Sequence, residues 1–474
     1  MLCFRMGKDR EGCHAGRENM WCENEGRCGG CFYQGTPYEE QLAIKEREIR
    51  ELLRSAALGE YRFENILPSP KESAYRNKME FSFGDQEKGG PLCLGLHQKR
   101  SFFNILNTDD CRLPDPDFGV LLRLTREYFA SLSIDYYHKK SHRGYLRHLL
   151  IRRTIKTGEI LVDLVSSSDF PKGFPKGAEP APSPGTVPSI REGAVGSPER
   201  RAVKEGGNGA SDTTEREMLL DWSALLLRAE EEGKLRGRIR GILHTRNDAL
   251  SDAVIDEGTE ILWGEDFICE ELLGLRFRIS PFSFFQTNSL GAERLYSKIR
   301  DYAALSLPAG GEERKPVIYD LYSGTGTITQ LMSPAASLSI GIELVPEAVR
   351  AARENARDNG ITNCAFLAGD VLKVISEGGE LIREDGSRYP APRPDLIILD
   401  PPRDGIHPKA LRKIIAYASP ALIYVACKPK SFARDLLPLQ EAGYRLQSCC
   451  PVDMFPQTNN CELVTLLSKD MPLL

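Results

Sequence analysis

Val317-Ile318-Tyr319-Asp320-Leu321-Tyr322-Ser323-Gly324-Thr325-Gly326-Thr327 is an apolar run that breaks into a glycine loop. Five apolar-framed residues are too few for a helix and suit a buried strand. The glycines allow a tight turn at the strand's carboxyl end, where the backbone can approach a ligand closely. Taken alone, the stretch leaves a nucleotide loop, a cofactor loop and a plain tight turn all open. The surroundings narrow the choice. Apolar strands recur at 338–343, 365–367, 396–400 and 421–425, with two more near 444–446 and 463–467. Helical patterns at 289–305, near Ile328, at 348–359 and from Pro408 fall between them. Strand and helix in alternation predict an α/β, doubly wound, Rossmann-like parallel sheet over residues 277–474.

Upstream the pattern differs. Residues 1–35 form a segment rich in cysteine and glycine, followed by a helical stretch at 37–58 whose apolar stripe is Leu42, Ile49, Leu52 and Leu53. Strand-like alternation follows, as in Lys78-Met79-Glu80-Phe81-Ser82-Phe83 and Glu159-Ile160-Leu161-Val162-Asp163-Leu164, with further elements near 218–232 and 238–243. Residues 36–276 are thus expected to form a central α+β domain. Within it, about 170–216 is rich in Pro, Gly, Ser and charge. Such a stretch buries too little to offset its ordering entropy, so a disordered insertion is expected there.

Composition sets outer limits. Of 474 residues, 41% are hydrophobic and 27% charged, as in globular proteins, and no apolar run approaches the roughly 20 residues of a membrane span. The start, Met1-Leu2-Cys3-Phe4-Arg5, has no secretory pattern, and a cytoplasmic protein without a membrane partner is expected. A formal net charge of −5 means that any nucleic-acid contact must rest on local patches. In a reducing compartment, thirteen cysteines point to metal binding or chemistry rather than disulfides.

Two acidic residues specify the ligand of the glycine loop. Glu343 ends the second strand, where a carboxylate can accept both hydroxyls of a ribose. Asp370 follows the third, where an adenine amino group would lie. A phosphate ligand would call for a lysine near the first loop, and none is there. S-adenosylmethionine, with its ribose, adenine and sulfonium, suits this set and makes the sheet of the class I methyltransferase kind. Asp400-Pro401-Pro402-Arg403 follows the fourth strand, where the prolines fix the backbone facing the same crevice. It is either a rigid turn or the floor for a planar base. Cys427 ends the next strand before Lys428 and Pro429. A cysteine there is either a packing residue or a nucleophile whose pKa a neighbouring cation lowers. The second reading fits methylation of a pyrimidine: carbon 5 of uracil becomes a good nucleophile only after a thiolate adds to carbon 6.

These motifs resemble those of the RNA uracil-5-methyltransferase family. The resemblance rests on Phe284-Phe285-Gln286-Thr287-Asn288, the 320–326 loop, Asp400-Pro401-Pro402-Arg403, Cys427-Lys428-Pro429 and Glu462, and spans nearly the whole chain apart from the insertion. It implies that Gln286, Tyr322, Glu343, Asp370 and Asp400 serve the cofactor site, with Gln286 and Asp400 also facing the uracil. It further implies Cys427 as nucleophile and Glu462 as the base that takes the carbon 5 proton. Three positions depart from the family: Ala426 stands for its serine, Asn460 for its histidine, and Thr327 for a common asparagine. A cytosine-5 methyltransferase would normally carry a cysteine in the Asp-Pro-Pro loop, and none is present.

Cys22-x5-Cys28-x2-Cys31, followed by Cys111, offers four soft ligands that suit either an iron–sulfur cluster or tetrahedral zinc. Cys13 and His14 offer a competing set. Relatives with this spacing, including Cys28-Gly29-Gly30-Cys31-x2-Gln34, hold a [4Fe-4S] cluster, so the resemblance implies one here. It also favours 23S ribosomal RNA as substrate, with transfer RNA the alternative and no obligate protein partner. For RNA contact the sequence offers Tyr136-Tyr137-His138-Lys139-Lys140, Arg143, Tyr145, Arg147 and Arg152-Arg153, which could equally be a solvated face. A non-catalytic iron–sulfur RNA-binding protein is the rival from another class; it would not need Cys427 and Glu462 at strand ends.

Overall fold

The computed structural model describes residues 22–171, 211–307, 315–376, 380–383, 385–390 and 392–469. Cys13, His14 and residues 172–210 of the expected insertion lie outside the described residues. The elements begin with α1 (Tyr38–Ala56), β1 (Arg62–Phe63), β2 (Lys78–Gly84), β3 (Cys93–His97), β4 (Ile105–Asn107), α2 (Asp117–Ser131), β5 (Leu146–Arg153) and β6 (Glu159–Ser166). Next come α3 (Ser211–Glu231), β7 (Arg238–Arg246), β8 (Thr259–Gly264) and a hairpin of β9 (Ile268–Leu272) and β10 (Leu275–Ile279). The alternating half runs through α4 (Ser289–Ser306), β11 (Val317–Leu321), α5 (Thr327–Leu331), β12 (Leu338–Glu343), α6 (Pro346–Asp358), β13 (Cys364–Ala368) and α7 (Val371–Val374). A small hairpin, β14 (Leu381–Ile382) and β15 (Arg388–Tyr389), precedes β16 (Leu396–Leu399), α8 (Pro408–Ala416), β17 (Ala421–Ala426), α9 (Pro429–Glu441), β18 (Arg445–Val452) and β19 (Glu462–Ser468).

The C-terminal strands form a sheet of order β1-β18-β19-β17-β16-β11-β12-β13. β13, β12, β11, β16 and β17 are parallel, and each is buried along most of its length, which is why they read as continuous apolar runs. One face packs Tyr319, Ile342, Ile397 and Tyr424 against Ile49 of α1, Leu411 of α8 and Leu436 of α9. The other packs Ile318, Ile398 and Ile423 against Leu295 and Ile299 of α4 and Phe277 of β10. The last strand breaks the expected all-parallel pattern: β19 runs antiparallel to both β17 and β18, which share one direction. This reversal brings the start of β19 to the carboxyl end of β17.

The central sheet has the order β4-β3-β2-β5-β6-β7-β8, antiparallel except for β6 with β7. α2 and α3 cover one face through Phe129 and Trp222, packed over Phe81, Leu149, Val162 and Ile242. α3 starts at Ser211, inside the stretch expected to be disordered and before the expected helix start at 218. No helix among the described residues is long and apolar enough to cross a membrane.

α1 and β1 fall within the span read as central domain, yet both join the C-terminal sheet, β1 by pairing with β18. The buried face of α1 is Gln41, Lys45, Ile49 and Leu53, at four-residue spacing. It replaces the expected Leu42 and Leu52 with two polar residues. The Lys45 ammonium donates to Asp453 Oδ1 at 2.7 Å and to the Phe455 carbonyl at 3.2 Å, with the two charged side chains only 1% and 0% exposed. Removing one partner of such a pair strands a buried charge. Lys45→Met should therefore destabilise the fold by about 3–5 kcal/mol, and adding Asp453→Leu should recover most of that loss. Urea unfolding of both variants checks this; equal stability of Lys45→Met and the parent would refute it.

Candidate active site

The glycine loop is shaped by three successive left-handed conformations, at Tyr322 (φ 70°), Gly324 (φ 55°) and Gly326 (φ 74°). The Tyr322 and Ser323 amides both donate to the Ile342 carbonyl, at 2.9 and 3.0 Å, which ties the loop to the end of β12. A Cβ at Gly326 would stand 2.5 Å from the Phe366 ring, so only glycine fits. At Gly324 the Cβ would face only the exposed Phe284 ring, 4.0 Å away, which leaves the loop open toward the crevice.

Glu343 is oriented by its neighbours. Oε2 accepts from the Gly324 amide and Oε1 from the Val345 amide, each at 2.9 Å. Each oxygen keeps lone-pair capacity for a ligand diol. Asp370 caps α7 by accepting from the Leu372 amide at 2.9 Å and stays half-buried. Gln286 is buried and is positioned from the central domain: Asn77 Nδ2 donates to its carbonyl at 2.9 Å and to Ser289 Oγ at 2.9 Å. The buried Arg152 guanidinium donates to the carbonyls of Pro281 and Ser283 just upstream. Tyr322, Glu343, Asp370 and Asp400 thus stand at the carboxyl ends of β11, β12, β13 and β16, and Gln286 lies in the segment between β10 and α4. A surface hollow of about 460 Å³ lined by Val317, Asp395 and Tyr417 lies at the opposite strand ends.

Cys427 and Glu462 come together through register. Ala426 pairs with Leu463 in the antiparallel β17–β19 ladder, and one step further sets Cys427 opposite Glu462. Directly opposite residues share a face of the sheet. Asp400, one residue past β16, completes the group. Burial, the Glu462 and Asp400 carboxylates push the Cys427 thiol up to about 11, opposed by Arg403. This corrects the expectation of a lowered pKa beside Lys428: the opposing cation comes from the Asp-Pro-Pro-Arg loop, and it does not prevail.

The carboxyls are shifted the same way. Burial and Asp400 raise Glu462 to about 8, again against Arg403. Burial and Asp320 raise Asp400 to about 7, while burial raises Asp320 to about 7 although Thr329 donates to its Oδ2 at 2.6 Å. Buried and set among all three, the Tyr296 phenol is held well above its usual range. Acids with pKa values spread near neutrality in one crevice can accept and return protons. Arg403 also donates to Asn460 Oδ1 at 3.3 Å, so the family histidine position here ties the Asp400 loop to the Glu462 strand. Tyr296 and Asn77 escaped sequence reading, with only the alternation of an apolar helix face hinting at the first, and Arg152 was read as an RNA contact.

The four cysteines Cys22, Cys28, Cys31 and Cys111 are neighbours: burial raises all four thiols, and those of Cys22, Cys31 and Cys111 are raised further by one or more of the others, that of Cys28 by Asp110. The Gly30 amide donates to Cys28 Sγ at 3.3 Å. No group of three or more His, Cys, Asp or Glu side chains among the described residues converges as a cage for a single metal ion. The basic stripe divides. Tyr145, Arg147 and Arg152 are buried and serve the interior: Arg147 donates to the carbonyls of Asn247, Ala249 and Ser251, each at 2.7 Å. Arg153 is ion-paired with Asp115 and Asp117. These four are corrected from RNA contacts to structural residues, whereas Lys140 and Arg143 are exposed.

The tRNA (Uracil-5-)-methyltransferase family profile matches residues 257–470. An uncharacterized RNA methyltransferase of Clostridium tetani is 41% identical over 448 residues, covering 94% of this chain and 83% of that protein. One from Clostridium acetobutylicum is 41% identical over 450 residues, with 94% and 83% covered. In fold, the chain is similar to the Pyrococcus abyssi tRNA (uracil-54, C5)-methyltransferase in complex with S-adenosyl-L-homocysteine, at a TM-score of 0.62 and 23% identity over 93% of this chain and 86% of that one. The chain belongs to the RNA uracil-5-methyltransferase family, and it is an S-adenosylmethionine-dependent RNA methyltransferase.

Proposed function

We propose that this enzyme methylates carbon 5 of a uridine in RNA through a covalent bond between Cys427 and carbon 6. The observation that most supports this is the β17–β19 pairing, with a thiol and a buried carboxyl on one face across neighbouring strand ends. Bound S-adenosylmethionine would supply an electrophilic methyl, held by Glu343 at its ribose, Asp370 at its adenine and Gln286, Tyr322 and Asp400 around it. Asp400, whose charge acts on the Cys427 thiol, would take its proton as the sulfur adds to carbon 6. The electron pair then reaches the methyl from carbon 5. Glu462 removes the carbon 5 proton, the carbon–sulfur bond breaks, and Asp400 returns a proton to Cys427. The target base must leave its stack to reach this crevice. A cytoplasmic location accords with an RNA substrate.

Cys22, Cys28, Cys31 and Cys111 are proposed to hold a [4Fe-4S] cluster. The support for this is the soft donor set, with the Cys31 and Cys111 thiols near enough to other cysteines of the four to be raised by them. Backbone amides directed at Cys22, Cys28 and Cys111 would stabilise the deprotonated sulfurs. The cysteine set favours 23S ribosomal RNA as substrate; the transfer-RNA reading draws on the names of the family profile and the Pyrococcus enzyme. Mapping 5-methyluridine in both RNA classes from a strain lacking the protein separates the two.

Cys427→Ala should abolish methyl transfer while RNA binding persists, and Glu462→Gln should accumulate a denaturant-resistant protein–RNA adduct; normal product release by Glu462→Gln would overturn its role as base. In the resting protein, iodoacetamide labelling of Cys427, followed by peptide mass spectrometry, should rise toward pH 11. Glu462→Gln should move that rise downward, because it removes a negative charge facing the thiolate; half-labelling near pH 8.5 in the parent would count against the geometry. Anaerobically purified protein should contain about four iron and four sulfide per chain, lost in Cys111→Ser. Stoichiometric zinc instead would exclude the cluster.

A further inference from the structure

The loop joining β3 to β4 presents Phe102 at 80% exposure and Phe103 at 52% on a fixed frame. The Gln98 amide donates to the Asn104 carbonyl at 2.9 Å and the Ser101 amide to the Gln98 carbonyl at 3.0 Å. Ser101 Oγ accepts from the Phe103 and Asn104 amides and donates to Asn104 Oδ1 at 2.7 Å. Asn104 Nδ2 bonds the Gln86 carbonyl at 2.6 Å, and Arg100 takes a left-handed conformation (φ 65°) to close the turn. Two phenylalanines held rigidly in solvent need an explanation, since large exposed apolar groups mark interaction sites.

The surroundings are cationic. Lys99, Arg100 and Lys140 are exposed, and Lys140 Nζ lies 4.8 Å from the Phe103 ring centroid. The nearby Asp252 carboxylate is taken up by Lys139 at 2.7 Å. The hairpin is also linked through the backbone to the loop that carries Glu462. The Gly29 amide donates to the His97 carbonyl and the Lys99 amide to the Arg27 carbonyl, so the hairpin is joined to the cysteine segment. That segment's Phe32 and Tyr33 amides donate to the Gln457 carbonyl, in the loop that leads to Glu462.

We propose that the 98–104 hairpin is a stacking platform for a single-stranded stretch of the substrate RNA flanking the target uridine. Phe102 and Phe103 would take base faces while Lys99, Arg100 and Lys140 track the phosphates. This rests on RNA uridine methylation as the function, and it assigns substrate affinity to a surface remote from the chemistry. Aromatic faces with neighbouring cations bind unpaired nucleotides with little sequence preference, and a prefixed loop loses little entropy on binding.

The test uses the full-length enzyme with ribosomal and transfer RNA purified from a strain lacking it. Phe102→Ala/Phe103→Ala should raise KM and the filter-binding Kd roughly tenfold or more, with kcat and S-adenosylmethionine binding unchanged. Lys99→Gln/Arg100→Gln/Lys140→Gln should flatten the salt dependence of log Kd by about two units of slope. Unchanged Kd and KM in both variants would overturn the platform while leaving uridine methylation intact. A change in sedimentation behaviour in place of RNA affinity would overturn it in favour of a protein interface. Absence of 5-methyluridine with the parent enzyme would defeat the functional reading instead, and the filter-binding arm would still decide on the hairpin.

Discussion

The antiparallel pairing of β19 with β17 is the constraint on which the site depends. A purely parallel sheet would carry the chain's last strand away from the carboxyl ends, leaving Glu462 at the far edge from Cys427. Reversal puts the first residue of β19 against the last of β17. The pairing needs no help from either side chain, because Val425 with Val464 and Ile423 with Leu466 are buried and fix the register. A slip of one residue would turn every one of these side chains to the wrong face. The position of two reactive groups is therefore guaranteed by the apolar core beneath them.

The same burial that fixes the pair also quiets it. With its pKa near 11, the thiol is overwhelmingly protonated at neutral pH, and Glu462 near 8 is largely so. The resting crevice thus holds shared protons in place of stacked negative charge. This suits an enzyme carrying eleven described free cysteines, several of them exposed in part, where a standing thiolate would invite alkylation or oxidation. Among the described residues Arg403 is the cation that opposes the rise of both groups, and it is exposed and hydrogen-bonded to Asn460, within reach of an incoming phosphate or base. Reactivity must come with the substrate, when the uracil ring accepts the electron pair of the sulfur.

What the sequence disclosed follows from how each residue earns its place. Parallel strands buried on both faces announce themselves as apolar runs, so β11, β12, β13, β16 and β17 were legible, and so were the acidic residues that end them. The reversal of β19 was not, because strand direction leaves no trace in composition. Polar residues used inside were misread for the same reason. Arg147 and Arg152 look like RNA contacts beside Tyr136 and Lys139, but their guanidinium groups satisfy backbone carbonyls of the 247–251 and 281–283 turns. Lys45 and Gln41 occupy the core face of α1 because their partners lie some four hundred residues away, a separation no local pattern records.

Those distant partners close the chain on itself. Gln41 Oε1 accepts from the Gln457 amide at 2.9 Å, and Gln457 holds a left-handed conformation (φ 68°) that a residue with a Cβ adopts only under constraint. Its carbonyl in turn accepts from the Phe32 and Tyr33 amides, immediately after Cys31. Lys45 neutralises Asp453 at the head of the same loop. Four of the first fifty residues thus hold the 453–461 turn, and its path determines where β19 begins. The cysteine segment is on this account a brace for the carboxyl at the other end of the chain, so whatever orders Cys22, Cys28 and Cys31 also bears on the position of Glu462.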